Sequence, residues 1–180
     1  MGLVDTGVEP NNDIARNLLL GADYSDGPDR SIGDGRTDTD AYGHGTGEAA
    51  LIAGSDTDAS GGTVGLAPTA SIMPLRASDG SSAQWVFGVG PAIRFAIAHG
   101  CRIINLAFAV NLDVRELREA VSDALHHDIV VVAAVGNDGT SQQYFPAAWP
   151  GVVGVGAIDS SGKVWDRSNT GADVALVAPG

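Results

Sequence analysis

Apolar runs of strand length alternate along this chain with stretches of helical period. "GLV" at positions 2–4 reads as a short buried strand, and the polar stretch from about Gly21 to Gly43, crowded with Gly and Asp, reads as loop. "HGTGEAALIAG" (44–54) predicts a short helix, "ASIMPLRA" (70–77) a strand, "AQWVFGVGPAIRFAIAHG" (83–100) a helix stopped by Gly100, and "RIINLAF" (102–108) a buried strand. The helical period returns in "VRELREAVSDALHH" (114–127). Asp113 and Glu116, three residues apart, predict a capping box in front of it, and His126 and His127 fall in its last turn, where the helix dipole favours positive charge. Three more strands follow, "DIVVVAAV" (128–135), "VVGVGAI" (152–158) and "DVALVAPG" (173–180). Strands that alternate with helices and are apolar on both faces imply an α/β fold, a three-layer sandwich whose mainly parallel sheet is covered on each side.

Composition narrows the function classes. At 180 residues the chain has the length of one domain, and it shows no internal repeat, linker or low-complexity tract. No apolar run reaches the length of a membrane span, so no membrane partner is expected. The net charge is −12, with Lys163 the single lysine and no basic stripe, so nucleic acid is not an expected partner either. Cys101, the single cysteine, excludes an internal disulfide and a cysteine metal cluster. The first residues enter a strand at once, without a secretion-signal pattern, and "VALVAPG" ends the chain in mid-phrase. Residues 1–180 are therefore expected to be one domain that is incomplete at its C-terminus.

Ligands and reacting groups gather beyond the carboxyl ends of the strands in parallel sheets. Three residues fall there: Asp5 closing "LVDTG", His44 opening the helix after the acidic loop, and Asn137 closing "VVVAAVGN". Singly, each is an ordinary turn or loop residue. Together they are an acid, a base and an amide donor, which is what acyl transfer requires.

"GLVDTGV", "GHGTGEAALIAG", "GLAPTASIMPLRASD", "CRIINLAFA", "VVVAAVGNDG", "FPAAWPGVVGVGAID" and "DVALVAPG" resemble, in order and spacing, the successive blocks of subtilisin-like serine proteases, the subtilase family. The Asp-rich "GDGRTDTD" before "GHGT" is similar to mycosin-type members. The resemblance implies a seven-stranded parallel sheet between helices, with Asp5 as triad acid, His44 as general base and Asn137 as oxyanion donor. It further implies that an extended peptide or protein substrate lies beside Ala107, Phe108 and Ala109 and beside Ala134, Val135 and Gly136. No cofactor enters the chemistry, and the family's usual setting is secreted or cell-surface. Calcium is often bound in the family, but Ser55–Thr63 does not reproduce its calcium loop. The carboxylates Asp23, Asp26, Asp29, Asp34, Asp38 and Asp40 lack dedicated cation-loop spacing and are expected to be a solvated acidic loop. No metal site is assigned.

The pattern also departs from the family. Its nucleophile lies in Gly-Thr-Ser-Met-Ala, which these residues do not contain, so the chain as it stands is expected to be inactive. "GTS" at 139–141 is followed by "QQYFP" instead of a helix-forming run, so Ser141 is not taken as the nucleophile. Glu48 stands where an apolar residue is usual, and a carboxylate there must face water or find a donor. Ala107, Phe108, Ala109 and Val110 replace the usual Ser-Leu-Gly-Gly and narrow the room for a peptide backbone. The missing serine, Glu48 and the lost glycines motivate an alternative, a pseudoprotease that binds peptides or proteins without cutting them. "VDTG" is also the loop of aspartic proteases, but those are all-β and need two such loops. Without the serine-bearing helix, an apolar groove is expected against the sheet, favouring self-association.

Overall fold

The computed structural model describes residues 1–28, 31–55, 62–80 and 85–180. In chain order these form β1 (Gly2–Asp5), β2 (Ala22–Asp23), α1 (His44–Ala53), β3 (Met73–Arg76), α2 (Trp85–Ala98), β4 (Ile103–Leu106), α3 (Arg115–His126), β5 (Val130–Ala134), β6 (Val153–Ile158) and β7 (Leu176–Pro179), with a 3-10 turn at Ala15–Asn17. The strands make one sheet in the order β2-β3-β1-β4-β5-β6-β7, and every neighbouring pair is parallel. An all-parallel sheet with helices excludes the all-β aspartic-protease reading of "VDTG".

The short edge strand β2 lies inside the stretch read from sequence as loop. Two residues carry too little pattern to announce a strand, and it forms because it pairs with the end of β3, Ala22 beside Leu75 and Asp23 beside Arg76. The capping box is also not formed. The helix starts at Arg115 with Val114 as its N-cap and no side-chain cap, and the Asp113 carboxylate instead meets Arg118 at 2.8 Å.

Helices α2 and α3 cover one face of the sheet. Leu117, Ala120, Val121 and Ala124 recur at the helical period and are all buried. They join Val4, Ile104, Leu106, Val131 and Ala133, the inward residues of β1, β4 and β5, in the larger core. Each fully buried Leu or Val there contributes about 1.5–3 kcal/mol. The opposite face is covered in part. Helix α1 buries Ala49 and Ala53 with Leu3, Val8, Ile14, Leu18 and Ile72 in a smaller core. Beyond β1, that face shows Ile103 and Val130 exposed, at 39% and 49%, and Val132, Val153 and Val155 half-buried among the described residues. Helices thus lie on both faces of the sheet, as expected, and the strip beyond β1 that α1 does not reach is where the sequence reading expected an apolar groove.

Candidate active site

All strands run the same way, so their carboxyl ends form one edge. Register fixes who stands beside whom: Val4 is level with Leu106, and Leu106 with Ala133. One residue further on, Asp5, Ala107 and Ala134 form a row. Alternation along β1 puts Asp5 on the face of Leu3, the face that α1 covers.

His44 is the first residue of α1, and its Nδ1–H donates to Asp5 Oδ1 at 2.7 Å. Asp5 is fully buried, while the His44 side chain is 47% exposed. The same Oδ1 accepts the Thr6 backbone N–H at 2.7 Å, and Asp5 Oδ2 is buried without a hydrogen-bond partner. The short bond to Asp5 is the main cause that pushes the His44 imidazole up to about 9; burial opposes it, and the charges of Asp5, Glu48 and Asp40 add to it. With Nδ1 held by a carboxylate, Nε2 is the nitrogen left to exchange a proton.

This approach depends on how α1 begins. Its N-cap, Gly43, has φ +64° and no side chain to offer, so the first N–H groups are capped from elsewhere. Asp40 Oδ2 accepts His44 N, Thr6 Oγ1 accepts Gly45 N at 3.0 Å, and Asp38 Oδ2 accepts Thr46 N at 2.9 Å and Thr46 Oγ1 at 2.6 Å. Thr6 in turn donates to Asp38 Oδ1 at 2.9 Å. Gly45 is required here, since a Cβ on it would stand 2.1 Å from Gly7 O and 3.1 Å from Asp5 Cβ.

The acidic loop is thus more than a solvated surface. Asp38 and Asp40 cap α1, and Asp23 is buried in an ion pair with Arg76 at 2.9 Å. Those carboxylates are engaged with the protein's own donors, and among the described residues no three His, Cys, Asp or Glu side chains are grouped so as to hold a metal ion. Asp29 and most of Ser55–Thr63 lie outside the described residues.

An open cleft is lined by Thr6, Asp40, Tyr42, His44, Gly80 and Ala107. Beyond Ala107, half-buried Phe108 leans on the larger core, and Val110 pairs with Phe145 through backbone bonds of 2.9 and 2.8 Å. Of Ala107, Phe108 and Ala109, Ala107 therefore lines the cleft beside the Asp5–His44 pair, while Phe108 turns to the larger core. Asn137 lies three residues past Ala134, two strands from β1, a separation of about 10 Å at the usual strand spacing. It is exposed, and its amide makes no hydrogen bond among the described residues. The structure thus joins Asp5 to His44 directly and sets Asn137 on the same edge without contact to them. Ser141 is exposed beyond Asn137 in the same loop.

Asn169 was not singled out from sequence, yet it shapes that loop. Its Nδ2 donates to Val135 O at 2.9 Å, its N to Gly136 O at 2.9 Å, and its Oδ1 accepts the amides of Asp138 and Thr140. Gly136, at φ +100°, has no room for a side chain, because a Cβ would meet Asn169 Nδ2 at 2.5 Å. The "SN" of "RSNTG" looks like any turn dipeptide, and nothing in its sequence neighbourhood marks it.

The profile described as "Subtilase family" matches residues 1–180. The chain is 33% identical over 181 residues to the thermophilic serine proteinase of Bacillus sp. (strain AK1), covering all of this chain and 43% of that one. It is 30% identical over 193 residues to the major intracellular serine protease of Bacillus subtilis (strain 168), covering 57% of it. Among solved structures, a cold adapted subtilisin-like serine proteinase matches 99% of the chain at TM-score 0.84 and 26% identity, over 62% of its own length. MycP1 with its N-terminal propeptide removed matches 99% at TM-score 0.77 and 27% identity, over 63% of its own length. The chain therefore spans about half the length of these two curated relatives, and because one of them is named as intracellular, kinship alone sets no compartment. With an all-parallel seven-stranded sheet, a buried aspartate bonded to the histidine that opens α1, and a profile match from end to end, the chain belongs to the subtilase family.

Proposed function

We propose that these residues form the acid–base part of a serine endopeptidase site that cleaves peptide or protein substrates. The observation that carries this reading is the 2.7 Å bond between His44 Nδ1 and fully buried Asp5. Asp5 fixes the imidazole tautomer and stabilises the imidazolium; His44 takes the proton of a serine hydroxyl through Nε2 and returns it to the leaving amine. Asn137 donates its amide N–H to the oxyanion of the tetrahedral intermediate. The serine is not supplied by residues 1–180, which lack Gly-Thr-Ser-Met-Ala, and the substrate strand runs beside Ala107–Ala109 and Ala134–Gly136.

The test is to express the reading frame that carries these residues, probe it with a fluorophosphonate and assay peptide cleavage, with Asp5→Asn and His44→Ala beside it. A labelled serine outside residues 1–180 is expected, with kcat lowered at least about 10,000-fold in His44→Ala; the 180-residue chain alone is expected to stay unlabelled. Peptide binding with no labelled serine, or unchanged turnover in His44→Ala, would overturn the reading.

A further inference from the structure

Glu48 is the single acidic residue of α1. It follows His44 by four residues, so its side chain leaves the helix one turn on and on the same face as the imidazole. The helix is seated so closely on β1 that only a glycine fits at position 45, between that face and Asp5. Glu48 is half-buried there and accepts no hydrogen bond among the described residues. Across from it, Asp5 spends Oδ1 on His44 and Thr6 and keeps Oδ2 buried without a donor.

Two carboxyl groups and one imidazole in so small a space cannot titrate independently. We propose that Glu48 is a positioning residue acting through the His44–Asp5 pair: a second carboxyl beside the imidazole, whose charge state sets how firmly the pair keeps its proton. This inference rests on reading Asp5 and His44 as the acid–base pair. With Glu48 ionised, the imidazolium has a second anion one helical turn away besides Asp5 and gives up its proton only in more alkaline medium. With Glu48 neutral, Asp5 alone opposes that loss.

The electrostatics run the same way. Burial pushes the Glu48 carboxyl above the usual carboxylate range, the charge of Asp5 adds to that, and His44 pulls it back. Glu48 in turn raises His44, after the bond and charge of Asp5 and ahead of the charge of Asp40. The groups facing the imidazole are therefore Asp5 from β1, Asp40 from the loop before α1, and Glu48 from α1 itself. Asp38, in that same loop, is turned to Thr6 and Thr46. The arginine ion pairs lie elsewhere, at Asp23, Asp123, Glu119 and Asp113.

The test needs no turnover. The His44 ring resonances of the 180-residue chain, identified by their loss in His44→Gln, are followed by NMR from about pH 5 to about pH 10 in the native chain, Glu48→Gln and Glu48→Asp. Glu48→Gln is expected to lower the His44 midpoint by about half a pH unit or more, and Glu48→Asp, which keeps the charge, to restore most of it. An unchanged midpoint in a folded Glu48→Gln chain overturns the proposal and leaves the His44–Asp5 pair standing. A native His44 that titrates at the ordinary imidazole value removes the pair itself, and the proposed function with it. If Glu48→Gln does not fold, the carboxyl carbon of Glu48 in the native chain decides. A midpoint above that of a free glutamate, with a second inflection where His44 titrates, supports the proposal; one ordinary inflection overturns it.

Discussion

The proton on His44 Nδ1 is shared with a carboxylate that has no exposed surface, and that bond has a sign in stability as well as in chemistry. The folded imidazole is pushed up to about 9, above the value of about 6.5 for the unfolded chain. Its contribution to folding is therefore complete below about pH 6.5 and is lost as pH rises through about 9. Calorimetry of the native chain against His44→Gln is expected to show the largest Tm difference on the acid side of that window and the smallest beyond its alkaline end. The difference is modest, because the imidazole is 47% exposed and solvent screens it. Asp5 and His44 were legible in sequence because one closes a strand and the other opens a helix in a recognisable phrase, whereas Asn137 lies three residues past the end of β5. Sequence did not announce Asn169, whose four hydrogen bonds to the Asn137 loop arise only when the chain after β6 returns to that edge.

At the scale of elements, α1 is the part that makes the pair. Placing a methyl group at Gly45 sets it against Gly7 O and the Asp5 side chain, so α1 must lift from β1. Gly45→Ala is expected to cost about 1–3 kcal/mol in denaturant unfolding and to abolish the low-field Nδ1 proton signal of His44. The helix itself was legible in "HGTGEAALIAG"; its capping was not, because Gly43 offers no cap and the acceptors come from residues up to 39 positions away, as with Thr6 and Gly45. The failed capping box at α3 teaches the reverse. The spacing of Asp113 and Glu116 satisfied the local rule, but the helix starts after Val114 and Asp113 meets Arg118 instead.

Across the whole molecule, the apolar runs of β1, β3, β4 and β5 alternate with helical stretches and feed the core, which is why the α/β class could be read from periodicity. What periodicity cannot tell is which side of a strand meets a helix. Ile103, Val130, Val132, Val153 and Val155 are as apolar as their buried neighbours, yet they lie on the part of α1's face that no helix covers among the described residues. That face is expected to make the 180-residue chain associate, against the repulsion of a net charge of −12. Light scattering across a concentration series is expected to show a mass that rises with concentration and rises further with added salt; a constant monomer mass would count against it. Asp38 reaches across this architecture in another way, gripping Thr6 beside the acid with one oxygen and Thr46 beside the base with the other. A single rivet thus fastens strand to helix from a segment that belongs to neither, so the course of residues 36–43 sets how closely the Asp5 carboxylate and the His44 ring stay aligned.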